Sequence, residues 1–279
     1  MPIHDQGYRR YGGGRARGRA WIVIVKTGVR TMLRSRLFVV LLAFSWLQFL
    51  VRAVMFYGAA NLPQAAAVIG PNAATFRDFF DRQDLFVFIV TVTLGARLIS
   101  QDRRANALQI YLSKPLTRAE YIFGKLGILA AFLLFITWVP AILLLVVQVM
   151  FAGNFAFVQA NAYLFPAITL FSLVEVVMVA TSMLALSSLS SNSRFVGILY
   201  TALIFFSQAL YGVLRFVTGS TKLSWIAFGN DLAQVGDLIF RVPPRYDTPW
   251  PVSLLMIFVL IAVSGLILER RVRGVEIVA

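Results

Sequence analysis

Of the 279 residues, 59% are hydrophobic and only 14% charged, against roughly 45–50% and about 25% in an average soluble protein. One soluble core could not hide that much apolar surface, so the bulk composition points to a lipid bilayer as solvent. The absence of cysteine excludes disulfides, thiolate metal ligands and cysteine nucleophiles, and the single histidine, His4, sits in a polar tail that offers no metal centre. A net charge of +14 would suit a nucleic-acid binder, but its distribution along the chain argues for another cause.

Residues 1–20 are rich in Gly and Arg and read as a disordered basic tail suited to anionic lipid headgroups. Over residues 21–36, Ile22, Val25, Val29, Met32 and Leu33 fall on one helical face and Lys26, Arg30 and Arg34 on another, which predicts an amphipathic helix lying in the membrane interface. Residues 37–279 then form a single transmembrane domain. Its six apolar stretches, at about 37–57, 80–100, 126–151, 164–189, 195–216 and 250–268, are each close to the roughly 20 residues needed to cross a bilayer. The second is the least apolar, its strongly hydrophobic part starting at Leu85. Pro140 and Pro166 lie inside spans, where neighbouring helices can satisfy the freed backbone groups. The first stretch is read as a retained span, because the basic region before it is much longer than that of a signal peptide. The fold class is therefore an all-α integral membrane protein of six transmembrane helices with an interfacial amino-terminal helix.

Lysine and arginine set the orientation. Eighteen of them fall in the segment through Arg36, the 100–125 loop, the turn at Arg194 and the carboxyl-terminal tail. The alternate connections hold five: Arg77, Arg82, Lys222, Arg241 and Arg245. This asymmetry predicts both termini in the cytoplasm and accounts for the net charge without nucleic acid.

The loop between the second and third spans is the most informative stretch. Asp102 to Leu112 reads as a short helix with an apolar ridge at Leu108, Tyr111 and Leu112, stopped by Ser113-Lys114-Pro115. Thr117-Arg118-Ala119-Glu120 is a capping box that starts the third span, with Leu116 and Tyr121 placed as its hydrophobic staple. An exposed ridge beside Arg103 and Arg104 suits either a plain connection or a docking knob for a cytoplasmic partner.

This loop resembles that of type-2 ABC transporter permeases, which carry an acidic-Arg pair, a Leu-Leu-Ser-x-Pro-hydrophobic-Ser/Thr-Arg run and a Gly-Lys pair. Here the matching residues are Asp102-Arg103, Leu108, Leu112-Ser113-Lys114-Pro115-Leu116-Thr117-Arg118 and Gly124-Lys125, with Asn106-Ala107 in place of the usual Gly-Thr. The resemblance implies a permease subunit of an ATP-driven transporter, an exporter in the cytoplasmic (inner) membrane of a prokaryote. It implies that Asp102, Arg103, Arg104, Leu108, Tyr111 and Leu112 form a coupling helix docking on a separate ATP-binding subunit. It also implies a second permease copy, or a related permease, with the pathway at a two-fold interface. No Gly-x-x-x-x-Gly-Lys-Ser/Thr phosphate loop is present, so ATP and magnesium are expected on the partner; the chain itself is expected to be no enzyme and to carry no cofactor or metal.

Glu175 lies near the middle of the fourth span, where a charge costs at least roughly 2.5–3.5 kcal/mol. It could line the pathway and select cationic groups, or it could pair with Arg52 of the first span or with nearby hydroxyls. Between the fifth and sixth spans, Trp225, Phe228, Leu232, Val235 and Ile239 recur at helical spacing, predicting an amphipathic helix resting on or dipping into the outer leaflet. Two other functions fit the topology: a multipass membrane enzyme, which would want clustered His, Asp, Glu or Ser groups, and a membrane assembly protein without transport.

Overall fold

A computed structural model describes residues 20–62, 64, 69–107 and 117–272. The basic tail through residue 19 and the ridge residues Leu108, Tyr111 and Leu112 lie outside the described residues. Helix α1 covers Ala20–Met32, α2 Arg36–Ser45, α3 Leu47–Asn61 and α4 Ala73–Val90. A π-helical turn, Thr91–Gly95, and a short turn, Ala96–Leu98, lead from α4 into α5, Ser100–Arg104. Then come α6 (Arg118–Ile136), α7 (Trp138–Ala152), α8 (Ala156–Ala160), α9 (Leu164–Leu189), α10 (Ser193–Thr218), α11 (Phe228–Ile239) and α12 (Trp250–Arg271). No strand occurs among the described residues.

Among the described residues, six helical segments are long and apolar enough to cross a membrane: Arg36–Asn61, Ala73–Arg104, Arg118–Ala152, Leu164–Leu189, Ser193–Thr218 and Trp250–Arg271. These are the six spans expected, and the chain has the make-up of a multi-pass membrane protein. The second span begins seven residues before the boundary read from hydropathy (80 − 73), because Asn72 caps it by accepting from the Thr75 amide at 2.8 Å. Its polar first turns hid it from an apolarity count. The expected 21–36 helix stops at Met32, and Arg36 opens a new helix.

The breaks in these spans are held by named side chains. Pro140 cannot donate to the carbonyl of Ile136, and the third span divides at Thr137 between α6 and α7. The fully buried Gln83 amide donates to that Ile136 carbonyl at 2.7 Å and to the Ser45 carbonyl, at the α2–α3 junction, at 3.0 Å. One side chain therefore repairs breaks in two neighbouring spans, as a water-free environment demands. Farther along the second span, Ser187 of α9 accepts from the amides of Ile99 and Ser100 at 3.2 and 3.1 Å and donates to the Ala96 carbonyl at 3.1 Å.

Helix α9 runs through the centre of the bundle, most of its residues buried. Phe80, Phe171 and Phe240 interlock beside it with centroids 4.9–5.9 Å apart. At one end of the bundle α1 crosses α6 through glycines. A Cβ on Gly28 would stand 2.2 Å from Ile128 Cδ1, and one on Gly127 2.6 Å from Val25 Cγ2. The helix read as amphipathic is thus docked against the third span. The opposite end holds α8, α11 and the start of α4.

Candidate functional site

Two polar assemblies and one isolated acidic pair stand out, and they occupy different depths of the bundle. The first is at the α11 end. Arg77, one turn into α4, donates through Nε to Asp237 Oδ1 at 3.1 Å and through Nη1 to Asp81 Oδ1 at 2.7 Å. Arg245 closes the circuit, with Nη2 2.6 Å from Asp81 and Nε 3.1 Å from Asp237. Four charges alternate in a ring, two from α4 and two from α11 and the segment after it. Arg77 also lies over the Phe171 ring at 4.8 Å and donates to the Ala233 carbonyl at 3.3 Å. Burial raises the pKa of the Asp237 carboxyl, against the opposing pull of Arg245 and then Arg77.

Helix α11, expected to rest on or dip into the outer leaflet, packs against its neighbours on more than the apolar face that its spacing marked. Seven of its twelve residues are buried, among them the polar Asn230, Asp231, Gln234 and Asp237. Trp225, Phe228 and Ile239 are only half-buried. Its polar face grips the following segment: Gln234 donates to the carbonyls of Tyr246 and Thr248 at 3.1 and 2.8 Å, and the Tyr246 hydroxyl donates to Asn230 at 3.0 Å. The close approach depends on Gly236, where a Cβ would meet Arg77 Nε and Phe171 Cε2, each at 2.6 Å. The helix ends in a Schellman motif, with amides of Arg241 and Val242 donating to the carbonyls of Leu238 and Asp237 at 3.1 and 2.9 Å. Arg241 takes the left-handed position (φ 55°) that glycine usually fills and lies 4.4 Å over the Tyr163 ring.

The second assembly is at the α1 end and contains the sequence-predicted docking residues that are described. Asp102 is 2.7 Å from Lys125 Nζ and accepts from the Tyr121 hydroxyl at 2.7 Å. Arg103 donates to the Ser188 carbonyl. Arg104 is exposed and, with Ser191, Asn192, Ser193 and Arg194, lines a cavity of about 430 Å³. The capping box is formed as expected: the Glu120 amide donates to Thr117 Oγ1 at 3.2 Å and the Thr117 amide to Glu120 Oε2 at 3.0 Å. The two ends of the 105–117 connection are therefore fixed, one by Asp102 and Arg103, the other by the cap. Beside them a cavity of about 410 Å³ opens between α1 and the spans, lined by Gly28, Thr31, Arg97, Asp102, Tyr121 and Lys125 among others.

Arg52 and Glu175 do not meet. Arg52, buried, pairs with Asp78 of α4, which also accepts from Arg82 at 2.9 Å. Glu175 is 1% exposed, and neither of its carboxyl oxygens has a hydrogen-bond partner. Its acidic neighbour is Asp84 of α4, close enough for the two carboxyls to interact. Asp84 was not legible as a site residue, since in sequence it is one aspartate among several. A spacing count could have found it, because Asp84, Phe88 and Thr91 fall on one helical face. The Arg77–Asp237 pairing, across 160 residues, left no sequence signal.

Among the described residues no group of three or more His, Cys, Asp or Glu side chains converges to hold a metal ion. No protein-family model matches the chain, and a search of curated proteins returns no match.

Proposed function

We propose that this chain is the membrane-spanning permease subunit of an ATP-driven transporter of the type-2 ABC class, energised by a separate ATP-binding subunit. The observation that carries the proposal is the 102–125 loop. It bears the residues that resemble the permease coupling pattern, and both its ends are fixed to the bundle, at Asp102 and Arg103 and at the Thr117 cap. Ends anchored in this way would pass a push from a docked partner into the second and third spans.

The charge asymmetry supports a cytoplasmic position for this loop and for both termini. In that orientation α1 lies at the cytoplasmic interface, and the ring around Arg77 stands at the outer side. Six spans make half of a transporter, so a second copy or a related permease completes the pathway. The membrane is the cytoplasmic membrane of a prokaryote, and the direction of transport is export.

The test is copurification from the native host with a soluble ATPase, using the wild-type chain and a variant with Leu108, Tyr111 and Leu112 all changed to Asp. Association lost in a variant that still folds supports the reading. Association retained, or no ATPase with the wild type, overturns it.

A further inference from the structure

We propose that the groove between the second and fifth spans binds a phospholipid with an anionic headgroup, Arg97 and Arg194 holding the phosphate and the groove wall taking an acyl chain. This site needs only that the chain spans a membrane, not that it is a permease.

Charge is balanced differently at the two ends of the bundle. Toward α11, Arg52, Arg77, Arg82 and Arg245 each have a carboxylate partner. Toward α1, Asp102 is taken by Lys125 and the Tyr121 hydroxyl, and Glu120 is turned back on its own capping box. Arg97, seven residues before the end of the second span (104 − 97), and Arg194, in the first turn of α10, are both exposed. The side chain of neither forms an ion pair or a hydrogen bond with a described residue. Unmatched guanidinium groups bind phosphate oxygens well, and at the end of a membrane span a lipid headgroup supplies them.

The two arginines line one groove of about 590 Å³. The second span runs toward the α1 end and α10 runs away from it, so both arginines stand at the same end of the groove. Beyond Arg194 the wall continues through Gly197, Ile198 and Ala202, one helical face about 12 Å long. Beyond Arg97 it continues through Ala96 and Val92, the latter in the π-helical turn. A Cβ on the buried Gly197 would lie 3.3 Å from Val92 Cγ1, so this glycine lets the two spans close beneath the groove. Charge therefore stands at one end, and mostly small or apolar side chains line the rest.

That polarity selects the ligand. A soluble anion would use the charged end and leave the apolar wall without a partner, whereas a lipid fills both. Arg194 also lines the adjoining cavity of about 430 Å³, together with Arg104. The cationic surface thus extends past the phosphate position, which disfavours a headgroup carrying a positive charge of its own.

The test places the full-length chain in phosphatidylcholine nanodiscs with a trace of phosphatidylglycerol bearing a photoactivatable diazirine in its acyl chain. Label is expected on peptides covering residues 92–97 and 194–202, displaced by unlabelled phosphatidylglycerol but not by inorganic phosphate. A phosphatidylcholine probe with the same chain should label the lipid-facing helices without preference. Arg97→Gln combined with Arg194→Gln is expected to lower the labelling about tenfold or more. Arg270→Gln with Arg271→Gln, an equal loss of charge at the same end, should leave it unchanged. Ala202→Phe, which fills the apolar part of the groove, should lower it with both arginines intact, and decides the matter if the arginine variant does not fold. Labelling retained in the folded arginine variant or in Ala202→Phe, lost equally in the Arg270 and Arg271 control, matched by the phosphatidylcholine probe, or displaced by inorganic phosphate overturns the site. None of these outcomes depends on an ATPase partner.

Discussion

Arg77 and Asp237 are 160 residues apart in sequence and 3.1 Å apart in space, each almost wholly buried. Their contact ties the start of the second span to the helix between the fifth and sixth. Removing Arg77 leaves Asp81 and Asp237 to share Arg245 alone; losing one partner of a buried pair typically costs about 3–5 kcal/mol, whereas replacing both with apolar groups is often neutral. Arg77→Met is therefore expected to lower the thermal stability of the purified chain sharply, and Arg77→Met with Asp237→Leu to recover much of the loss. Arg245 and Asp81 would be left facing each other in the double variant, so recovery should be substantial but incomplete. A double variant no more stable than the single one would refute the pairing.

Gly236 lets α11 approach that arginine. In Gly236→Ala the added methyl group meets Arg77 and Phe171 at 2.6 Å, and overpacking of this kind costs typically about 1–3 kcal/mol. Hydrogen exchange should show α11 opening more readily while α6 and its capping box stay protected. Unchanged protection throughout α11 would mean that the approach is looser than described.

Asp231 gives α11 a pH dependence. Burial raises its carboxyl to about 7, and the Ser253 hydroxyl nearby pulls the other way without closing a hydrogen bond. The folded state thus keeps a proton that the unfolded chain releases near the ordinary aspartate value of 3.8. The stability associated with that proton is fully present below that value and is lost as pH rises to about 7. Asp231→Asn should flatten this contribution, so that stability measured by denaturation from pH 5 to pH 8 falls less steeply than in the wild type. Identical slopes would contradict the assignment. The raised Asp237 adds to the wild-type slope in the same direction, so the difference between the two proteins is the quantity to read.

Gln83 is expected to be intolerant of apolar replacement despite its position inside a span. Gln83→Leu orphans the carbonyls of Ser45 and Ile136, at about 1–3 kcal/mol for an unsatisfied buried group. Combining it with Pro140→Ala, which restores a donor for Ile136, should return part of the loss. Thermal denaturation of the three variants would check this; equal losses in the single and double variants would show that the amide does not serve the proline break.

What the amino-acid order determined by itself was whatever depends on neighbours in the chain. The six apolar stretches, the Thr117–Glu120 cap, the helix around Phe228 to Ile239 and the isolation of Glu175 in an apolar span could all be read from local pattern, because periodicity and capping act within a few residues. The folded molecule decided what depends on distant partners. It extended the second span back to Ala73, where Arg77, Asp78 and Asp81 are neutralised by side chains from other elements. It sent Arg52 to Asp78 instead of Glu175, turned α11 inward on a polar face that its apolar spacing concealed, and brought Asp84 up to the one buried carboxyl that lacks a partner on the fourth span. A charge in an apolar medium is tolerated only in the company of its counter-charge, and that company is chosen by packing across the bundle, where linear order carries no record of it.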